Sequence, residues 1–198
     1  MYEEYFSEVY TVIDYNEILR ENLVLKSKRL ILRPFTMDDI DDVFLYASDD
    51  FVTKYLTWPS YKDISEIEDV VKTYYIDKSG VFAIELEEEE KCIGCIDLRL
   101  YNQDNKASFG YVLNRGYWNK GYMSEALNLI LDFSFSKLEL NRVEATHYIG
   151  NEGSGRVMQK CGMRYEGTGI QEVKVKGIFY DVVHYAILRE EWLIGYSD

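Results

Sequence analysis

The chain has 198 residues, 15% of them aromatic, which suits one compact domain with a large apolar core. Its formal net charge of −13 disfavours nucleic acid as a partner, because phosphate groups repel such a surface, and it is compatible with a cationic partner such as an amine, although solubility alone explains it. The three cysteines are too few for a disulfide framework and the acidic start lacks the features of a signal peptide, so we expect a cytoplasmic protein with no membrane partner.

We expect residues 1–27 to form an N-terminal extension and residues 28–198 to form one domain. Asp14 and Glu17 have the spacing of a capping box, which predicts a short helix through Leu25. The tyrosines of the extension either pack on the domain or join a second copy in a homodimer, and the sequence leaves both open.

A strand and two helices are predicted to open the domain. Residues 29–33 form the strand, because Leu30 and Leu32 share one face. A capping box at residues 36–39 then predicts the first helix. By the same spacing Ser65 opens the second helix with Glu68. The buried stripe of that helix is expected to be Ile67, Val70, Val71 and Tyr74.

Three strand-like runs come next. Residues 81–86 and 92–100 flank an acidic turn at residues 87–90, which predicts a hairpin with a solvated tip. The third run covers residues 107–113 and follows a polar turn.

Cys92 and Cys95 have the C-x-x-C spacing of metal and redox motifs. Residues three apart on a strand face opposite sides, so we expect the two thiols to diverge. There is no second cysteine pair, and the chain contains only 2 histidines, His147 and His184. We therefore expect neither metal nor redox chemistry.

The second part of the domain begins with a helix near Gly121. The apolar face of its first helix is predicted to comprise Met123, Ala126, Leu127, Ile130, Leu131 and Ser134. The remaining elements are a strand at residues 142–148, a short helix at 154–160 that ends at the left-handed cap Gly162, and a hairpin of residues 171–175 and 181–188. The order β-α-α-β-β-β-α-β-α-β-β indicates a mixed α+β fold.

One segment, residues 110–126 (GYVLNRGYWNKGYMSEA), combines a strand, a loop and a helix start. The first turn of a helix carries unpaired N–H groups and the positive end of the helix dipole, an arrangement that suits a phosphate or pyrophosphate. Gly121 lets the backbone come close to such a group, and Lys120 adds positive charge. Taken alone, an ordinary strand-to-helix loop is the simpler explanation of the segment.

The segment resembles the coenzyme A pyrophosphate motif of the GNAT N-acetyltransferase superfamily, and in particular its Rim-type branch, which acetylates the N-termini of ribosomal proteins. The resemblance begins at Lys28 and rests on several motifs in the family's order, among them RLILRPFTMDDI, FGYVL, GYWNKGYMSEAL, NRVEA, NEGSGRVMQKCGMRYEG and DVVHYAILREEW. It implies a mixed, mostly antiparallel sheet of about six to seven strands flanked by about four helices. It also implies acetyl-CoA as the cosubstrate, a primary amine as the acceptor and no metal.

The resemblance further implies a donor site. The strand that ends at residues 111–113 is expected to splay from the strand at 142–148, and the pantetheine arm is expected in the gap. A backbone N–H near Val112 would polarise the thioester carbonyl, and Asn151 would bind a pantetheine amide. The expected cofactor-binding residues are Tyr111, Val112, Leu113, Asn119, Lys120, Gly121, Tyr122, Met123, Ser124 and Asn151.

Two residues are expected to be catalytic by the same resemblance. Ser154 would lie near the sulfur and protonate the leaving thiolate, and Glu144 would accept the proton of the amine, as a glutamate on the matching strand does in some relatives. Glu172 is the second candidate for that base, and His147, on the other face of its strand, is a weaker one. Each carboxylate could equally be an ordinary surface side chain.

The sequence departs from the family at two methionines. Met123 stands where a small residue is usual, and Met158 stands where some relatives carry a tyrosine general acid, so the tyrosine's role is not carried over. Gly153 and Gly155 also loosen the helix start that holds Ser154.

The acceptor stays open among a protein N-terminus, a polyamine, an aminoglycoside and an amino acid, and Trp58 is expected to wall its site. Two other functions compete with catalysis. A non-catalytic acyl-CoA-binding sensor would keep residues 120–124 and lose the base. An interaction protein would instead use the tyrosine-rich extension.

Overall fold

A single eight-stranded mixed sheet organises the chain, and the computed structural model describes residues 15–195 of it. The strand order is β1-β2-β3-β4-β5-β6-β8-β7, and every neighbouring pair is antiparallel except β5 and β6. The strands are β1 (Leu25–Lys26), β2 (Leu30–Arg33), β3 (Val81–Leu86), β4 (Lys91–Tyr101), β5 (Lys106–Leu113), β6 (Arg142–Tyr148), β7 (Arg164–Val175) and β8 (Ile178–Leu188).

Seven α-helices accompany this sheet within the described residues: α1 (Tyr15–Glu21), α2 (Ile40–Ala47), α3 (Asp50–Thr53), α4 (Ile64–Val70), α5 (Tyr122–Ser136), α6 (Glu152–Lys160) and α7 (Arg189–Gly195). The predicted α+β class is confirmed, but strands and helices outnumber the expectation. The additions include β1, α3 and α7, which are too short to give a periodic sequence signal. Within this part of the chain the helices are too short or too polar to traverse a bilayer.

Two apolar cores lie on opposite faces of the sheet, as the alternation along β4 shows: Ile96 and Leu98 belong to one core, and Cys95 belongs to the other. Helix α5 covers the first core. Its whole predicted stripe is buried, which confirms the period-3.6 prediction: Met123, Ala126, Leu127, Ile130, Leu131 and Ser134.

The two predicted helix starts have different outcomes. The capping box of Thr36 and Asp39 is confirmed, and it opens a 3₁₀ turn that continues into α2. The box at Ser65 is wrong, because Asp63 caps α4 instead, accepting from the Ser65 N–H, while the Glu66 side chain accepts from the cap backbone. Both pairs have the same spacing, so spacing alone could not decide between them.

The predicted burial of Tyr74 is also wrong. Ile67 and Val71 are buried as expected, but Tyr74 is 65% exposed. Helix α4 continues into a π-helical turn, in which the Ile76 N–H donates to the Val71 carbonyl. This wider turn shifts the phase of the stripe by one residue, so Tyr75 packs inward and stacks on Phe35 at 4.5 Å.

The divergence predicted for Cys92 and Cys95 is contradicted as well. Glu85 pairs with Cys92 and Ile84 pairs with Gly94, so Ile93 is an extra residue in β4 and forms a bulge. Because of this bulge, both thiols lie on the same face of the sheet, where both are buried in the second core. Burial raises the pKa of Cys92 to about 12 and that of Cys95 well above its ordinary value, so both are protonated at neutral pH.

Both predicted hairpins are present. Strands β3 and β4 are joined by the acidic turn at residues 87–90, and β7 and β8 are joined by Lys176 and Gly177, which both have positive φ. The second hairpin is longer than predicted, because β7 starts at Arg164 and β8 at Ile178. The predicted cap at Gly162 is confirmed by its φ of 81°.

The end of the N-terminal extension packs into the domain. Tyr15 and Leu19 of α1 are 6% and 3% exposed and lie in the same core as α5. The Tyr15 hydroxyl donates to Asn105 Oδ1 at 2.7 Å, and β1 adds an edge strand to β2. Helix α1 ends at Glu21, before the predicted Leu25, and the predicted cap Asp14 lies outside the described residues.

Truncating Leu19 tests whether this segment stabilises the domain. We expect Leu19→Ala to lower the free energy of unfolding by roughly 2–5 kcal/mol, because it leaves a cavity in the core. Leu23→Ala is the matched control, since Leu23 is 46% exposed, and its effect should stay within about 0.5 kcal/mol. Equal urea midpoints for Leu19→Ala and wild type would show that α1 contributes nothing to folding.

Candidate active site

The central sheet opens between its two parallel strands. β5 and β6 pair only at Lys106 with Arg142, Ala107 with Val143 and Ser108 with Glu144. Beyond these pairs β6 stays bonded to β8 along its whole length, so β5 and β6 separate. The predicted splay is therefore present, and within residues 15–195 it leaves the β5 edge from residue 109 onward without a strand partner on that side.

A charged cluster of Lys106, Arg142, Glu144 and Glu166 sits at the closed end of this gap. The Glu144 carboxylate contacts Lys106 at 3.2 Å and Arg142 at 2.9 Å, and Arg142 also forms a double hydrogen bond with Glu166. Burial raises the pKa of Glu144, but the hydrogen bonds from Arg142 and Lys106 outweigh it and hold that pKa below its ordinary value. The cluster fastens β5 to β6 where their pairing ends.

At the open end, a loop connects β5 to α5. The Asn114 side chain accepts from the Gly116 N–H at 2.9 Å, and the Trp118 indole donates to the Leu113 carbonyl at 2.8 Å. Asn119 and Gly121 both have positive φ, at 61° and 83°. These two left-handed residues turn the chain sharply into the helix.

The first turn of α5 presents unused backbone donors. Within residues 15–195, no acceptor contacts the N–H groups of residues 119–124, which include six of the predicted cofactor-binding positions: Asn119, Lys120, Gly121, Tyr122, Met123 and Ser124. The side chains of Tyr122 and Met123 are 8% and 5% exposed, so they point into the core. The long Met123 side chain therefore does not obstruct the outer side of the loop, and any contact from it is through the backbone.

Arg29 holds this loop from the start of β2. Its guanidinium pairs with Glu125 in the first turn of α5 at 2.6 Å and donates to the Lys120 carbonyl at 3.2 Å. It also lies 4.3 Å above the Tyr122 ring. The guanidinium and the Lys120 ammonium add positive charge beside the helix N-terminus, which suits a pyrophosphate.

The start of α6 faces the gap from the other side. Asn151 is the N-cap residue of α6, but its side chain makes no capping hydrogen bond. Ser154 Oγ lies 2.8 Å from the Tyr111 hydroxyl, which also donates to the Ser154 carbonyl at 3.0 Å. Burial raises the pKa of Tyr111, so this hydroxyl stays protonated. Tyr111 therefore bridges β5 to α6 and fixes the Ser154 hydroxyl next to the gap.

A cavity of about 950 Å³ begins at this gap and extends over the face of the sheet that carries the second core. Tyr111, Val112, Asn151 and Ser154 line one end of it, whereas Leu113 packs in the core below. Aromatic rings form much of the rest of its wall: Tyr55, Trp58, Tyr74, Tyr75 and Tyr148. Trp58, which was predicted to wall the acceptor site, is one of these rings.

Asp97 and Arg99 lie on the floor of the cavity. They point to the same face of β4, and Asp97 Oδ1 contacts Arg99 Nε at 2.5 Å. Asp97 pairs with Gly110 across the sheet, and a Cβ at Gly110 would meet Arg99 Nη2 at 2.5 Å and Asp97 Oδ2 at 2.9 Å. The two side chains therefore rest on the β5 backbone, next to Tyr111 and Val112.

Glu144 does not line the cavity, because it is held in the charged cluster at the closed end. Glu172 does not line it either; its Oε2 contacts His184 Nε2 at 2.8 Å on a partly exposed face. His147 lines the cavity, but its ring stacks on Tyr185 at 5.8 Å and would be 2.6 Å from a Cβ at Gly155. Gly155 thus allows His147 to pack closely under α6.

Asp97 is the functional candidate that sequence reasoning missed. The strand that carries it was predicted, at residues 92–100. No motif marks the residue, however, because its neighbours in the cavity come from distant strands and loops. A metal site is not among the candidates, since no group of three or more suitable side chains occurs within residues 15–195.

Comparison with known proteins decides the family. A model of the acetyltransferase (GNAT) domain matches residues 29–164. The chain belongs to the GNAT acetyltransferase family. Among curated relatives of this acetyltransferase, YnaD of Bacillus subtilis is 35% identical over 85% of this chain and 98% of its own, and p20 of Bacillus licheniformis is 31% identical over 85% and 97%. Both are named uncharacterized N-acetyltransferases.

Solved structures agree with this GNAT assignment. A GNAT-family acetyltransferase from Bacillus anthracis superposes with a TM-score of 0.78 at 32% identity and covers 84% of this chain and 99% of its own. A spermidine N-acetyltransferase from Vibrio cholerae, solved with CoA and spermine, has a TM-score of 0.71 at 22% identity over 84% and 99%. GNAT acetyltransferases use acetyl-CoA, and the open gap, the unused N–H groups and the Asn151 amide of this chain fit such a ligand.

The charged cluster predicts a pH-dependent effect of Glu144 on stability. Because its folded pKa is depressed, Glu144 stabilises the fold above its unfolded pKa of about 4.3, and this contribution is lost as pH falls through the folded pKa. We expect Glu144→Gln to cost up to about 1 kcal/mol at pH 7 and less near pH 3. Glu88→Gln, at an exposed turn, is the control, and urea unfolding at both pH values is the measurement. A deficit that persists unchanged at pH 3 would contradict the assignment.

Proposed function

We propose that this GNAT enzyme moves the acetyl group of acetyl-CoA to a primary amine by direct attack in a ternary complex. The observation that supports the proposal is the continuity of one cavity. It joins the gap between β5 and β6, where a thioester fits, to an aromatic pocket that contains a carboxylate. Both reactants can therefore be held together, with no covalent enzyme intermediate.

The donor would lie across the open gap. The unpaired β5 edge would bind the pantetheine as an added strand, and the Asn151 amide would bind one of its amide groups. The N–H groups of residues 119–124, with Lys120 and Arg29, would hold the pyrophosphate. Tyr111 and Leu113 would serve by shaping this edge, and a backbone N–H near Val112 would stabilise the oxyanion as charge develops on the carbonyl.

Ser154 would protonate the thiolate as the carbon–sulfur bond breaks. Its hydroxyl is fixed by Tyr111 at 2.8 Å, so its direction does not depend only on the glycine-rich start of α6. A thiol has an ordinary pKa of about 8.5, so this proton transfer assists the reaction but is not indispensable.

We propose that Asp97, rather than Glu144, accepts the proton that the acceptor amine loses. Asp97 lies inside the cavity beside the β5 edge, where its partner Arg99 is also open to a ligand, whereas Glu144 lies outside the cavity with its partners Lys106 and Arg142. A carboxylate can hold the ammonium form of the acceptor, which must lose one proton to solvent before its neutral nitrogen can attack. The carboxylate can then take the second proton, once the new N–C bond makes the nitrogen more acidic. The transfer can be direct or through one water.

The proposal extends to the acceptor, the location and the assembly of the enzyme. The Rim-type resemblance points to a ribosomal or other protein N-terminus as the acceptor, while a fold neighbour acts on spermidine. A cytoplasmic location and a homodimer built through the N-terminal extension are consistent with the sequence. A non-catalytic acyl-CoA sensor is the alternative function, and Asp97 in the cavity argues against it.

Release of CoA thiol on adding amines tests the proposal and separates an enzyme from a sensor. We expect Asp97→Asn to lower kcat/KM by roughly 100-fold, because the proton acceptor is lost, while the affinity for CoA stays unchanged. Glu144→Gln is the matched variant and should retain turnover within a few-fold. The reverse ranking of the two variants would return the base to Glu144. No thiol release with any amine, alongside tight CoA binding, would favour the sensor.

A further inference from the structure

The charge inside the cavity is opposite to the charge of the whole chain. The formal net charge is −13, yet of the described residues that line the cavity the charged ones are Asp97, Arg99 and Lys78. Two cations therefore accompany one carboxylate. A polyamine, which carries several positive charges, would meet two like charges here, and like-charge contacts in a binding site are strongly unfavourable.

The charged residues follow one another in order along the floor. Cys95, Asp97 and Arg99 share one face of β4, and their β5 partners are Val112, Gly110 and Ser108. Asp97 is therefore nearer to the thioester end, and Arg99 is further from it by about 7 Å, the rise of two strand residues. Lys78 lines the cavity as well.

The pair of Asp97 and Arg99 is suited to a zwitterion. The two side chains now neutralise each other, and Arg99 is 59% exposed, so it can turn to a ligand without leaving a buried charge unpaired. A guanidinium binds carboxylate or phosphate oxygens through two parallel hydrogen bonds. An acceptor that carries both an ammonium and an anionic group could thus replace this ion pair, with its ammonium on Asp97 and its anionic group on Arg99.

The chemistry of attack favours the same class of acceptor. An α-amino group beside an amide, as at a peptide N-terminus or in an amino acid α-amide, has an ordinary pKa of about 7.7–8.0, against about 10.4 for a lysine-type amine, so its neutral, nucleophilic fraction at pH 7 is roughly 300-fold larger. An α-amine therefore demands less of the base than a polyamine does.

We propose that the acceptor is an α-amine with an anionic group a few bonds away, as in an acidic amino acid or a peptide that begins with one. Asp97 binds the ammonium beside the thioester, and Arg99, supported by Lys78, binds the anionic group. This inference rests on the proposed acetyl transfer to an amine.

The test compares acceptors that differ only in charge. Glutamate α-amide and glutamine α-amide have the same shape, and we expect kcat/KM for the glutamate compound to be at least about tenfold higher, with spermidine the poorest. Free glutamate and a peptide with N-terminal glutamate then distinguish the two sources of this chemistry. A preference for glutamine α-amide or spermidine would overturn the inference but leave the acetyltransferase intact. Absence of thiol release with every acceptor would overturn both.

Variants of Arg99 separate recognition from a structural role. Arg99→Gln should bring the ratio of the two kcat/KM values near one, through a higher KM for glutamate α-amide, and Arg99→Lys should keep most of the preference. Unchanged affinity for CoA, measured by calorimetry, shows that each variant is folded. If Arg99→Gln retains the full preference, Arg99 does not bind the acceptor and the inference fails.

Discussion

The structure depends on the point at which two parallel strands stop pairing. β5 and β6 are joined at three register positions, where the cluster of Lys106, Arg142, Glu144 and Glu166 fastens them. Beyond that point β6 is fully bonded to β8, and the hydroxyl of Tyr111 reaches Ser154 across the gap. Backbone N–H and C=O groups that would pair with a neighbouring strand in a continuous sheet therefore remain available to a ligand. The edge that carries them lies within the sheet rather than at its outer margin.

The parted strands divide the site into two chemically different halves. On the side of α5 and α6, the backbone donors of residues 119–124 and the uncapped amide of Asn151 suit the phosphates and amides of CoA. On the opposite face, aromatic rings surround Asp97 and Arg99, which suits a small charged acceptor.

The N-terminal segment precedes the matched domain. Alignments with the relatives YnaD and p20 cover about 85% of this chain and nearly all of the relatives' own length, and the family model begins at residue 29. Helix α1 lies before the residues that the family model matches, and its Leu19 is nevertheless buried in the same core as α5.

Much of the fold could be predicted from local sequence, whereas the site could be predicted only in part. The bounds of β6 and the buried stripe of α5 followed from periodicity, because those elements are long and have one apolar face. The bulge at Ile93 and the π turn that exposes Tyr74 arise from pairing and packing between distant segments, which periodicity does not report. Alternation likewise gave the face of Glu144 but not that it lies at the closed end of the gap. Asp97 becomes part of a candidate site only in the folded protein, where β4, β5 and the aromatic loops line one cavity.

A crystal structure of the protein with bound CoA tests the central claim most directly. The account predicts that the pantetheine lies between β5 and β6, hydrogen-bonded to the β5 edge and to the Asn151 side chain, with the pyrophosphate on the N–H groups of residues 119–124. The pairs from Lys106–Arg142 to Ser108–Glu144 should be unchanged. Strands β5 and β6 paired beyond Ser108 and Glu144, with CoA bound elsewhere on the molecule, would contradict it.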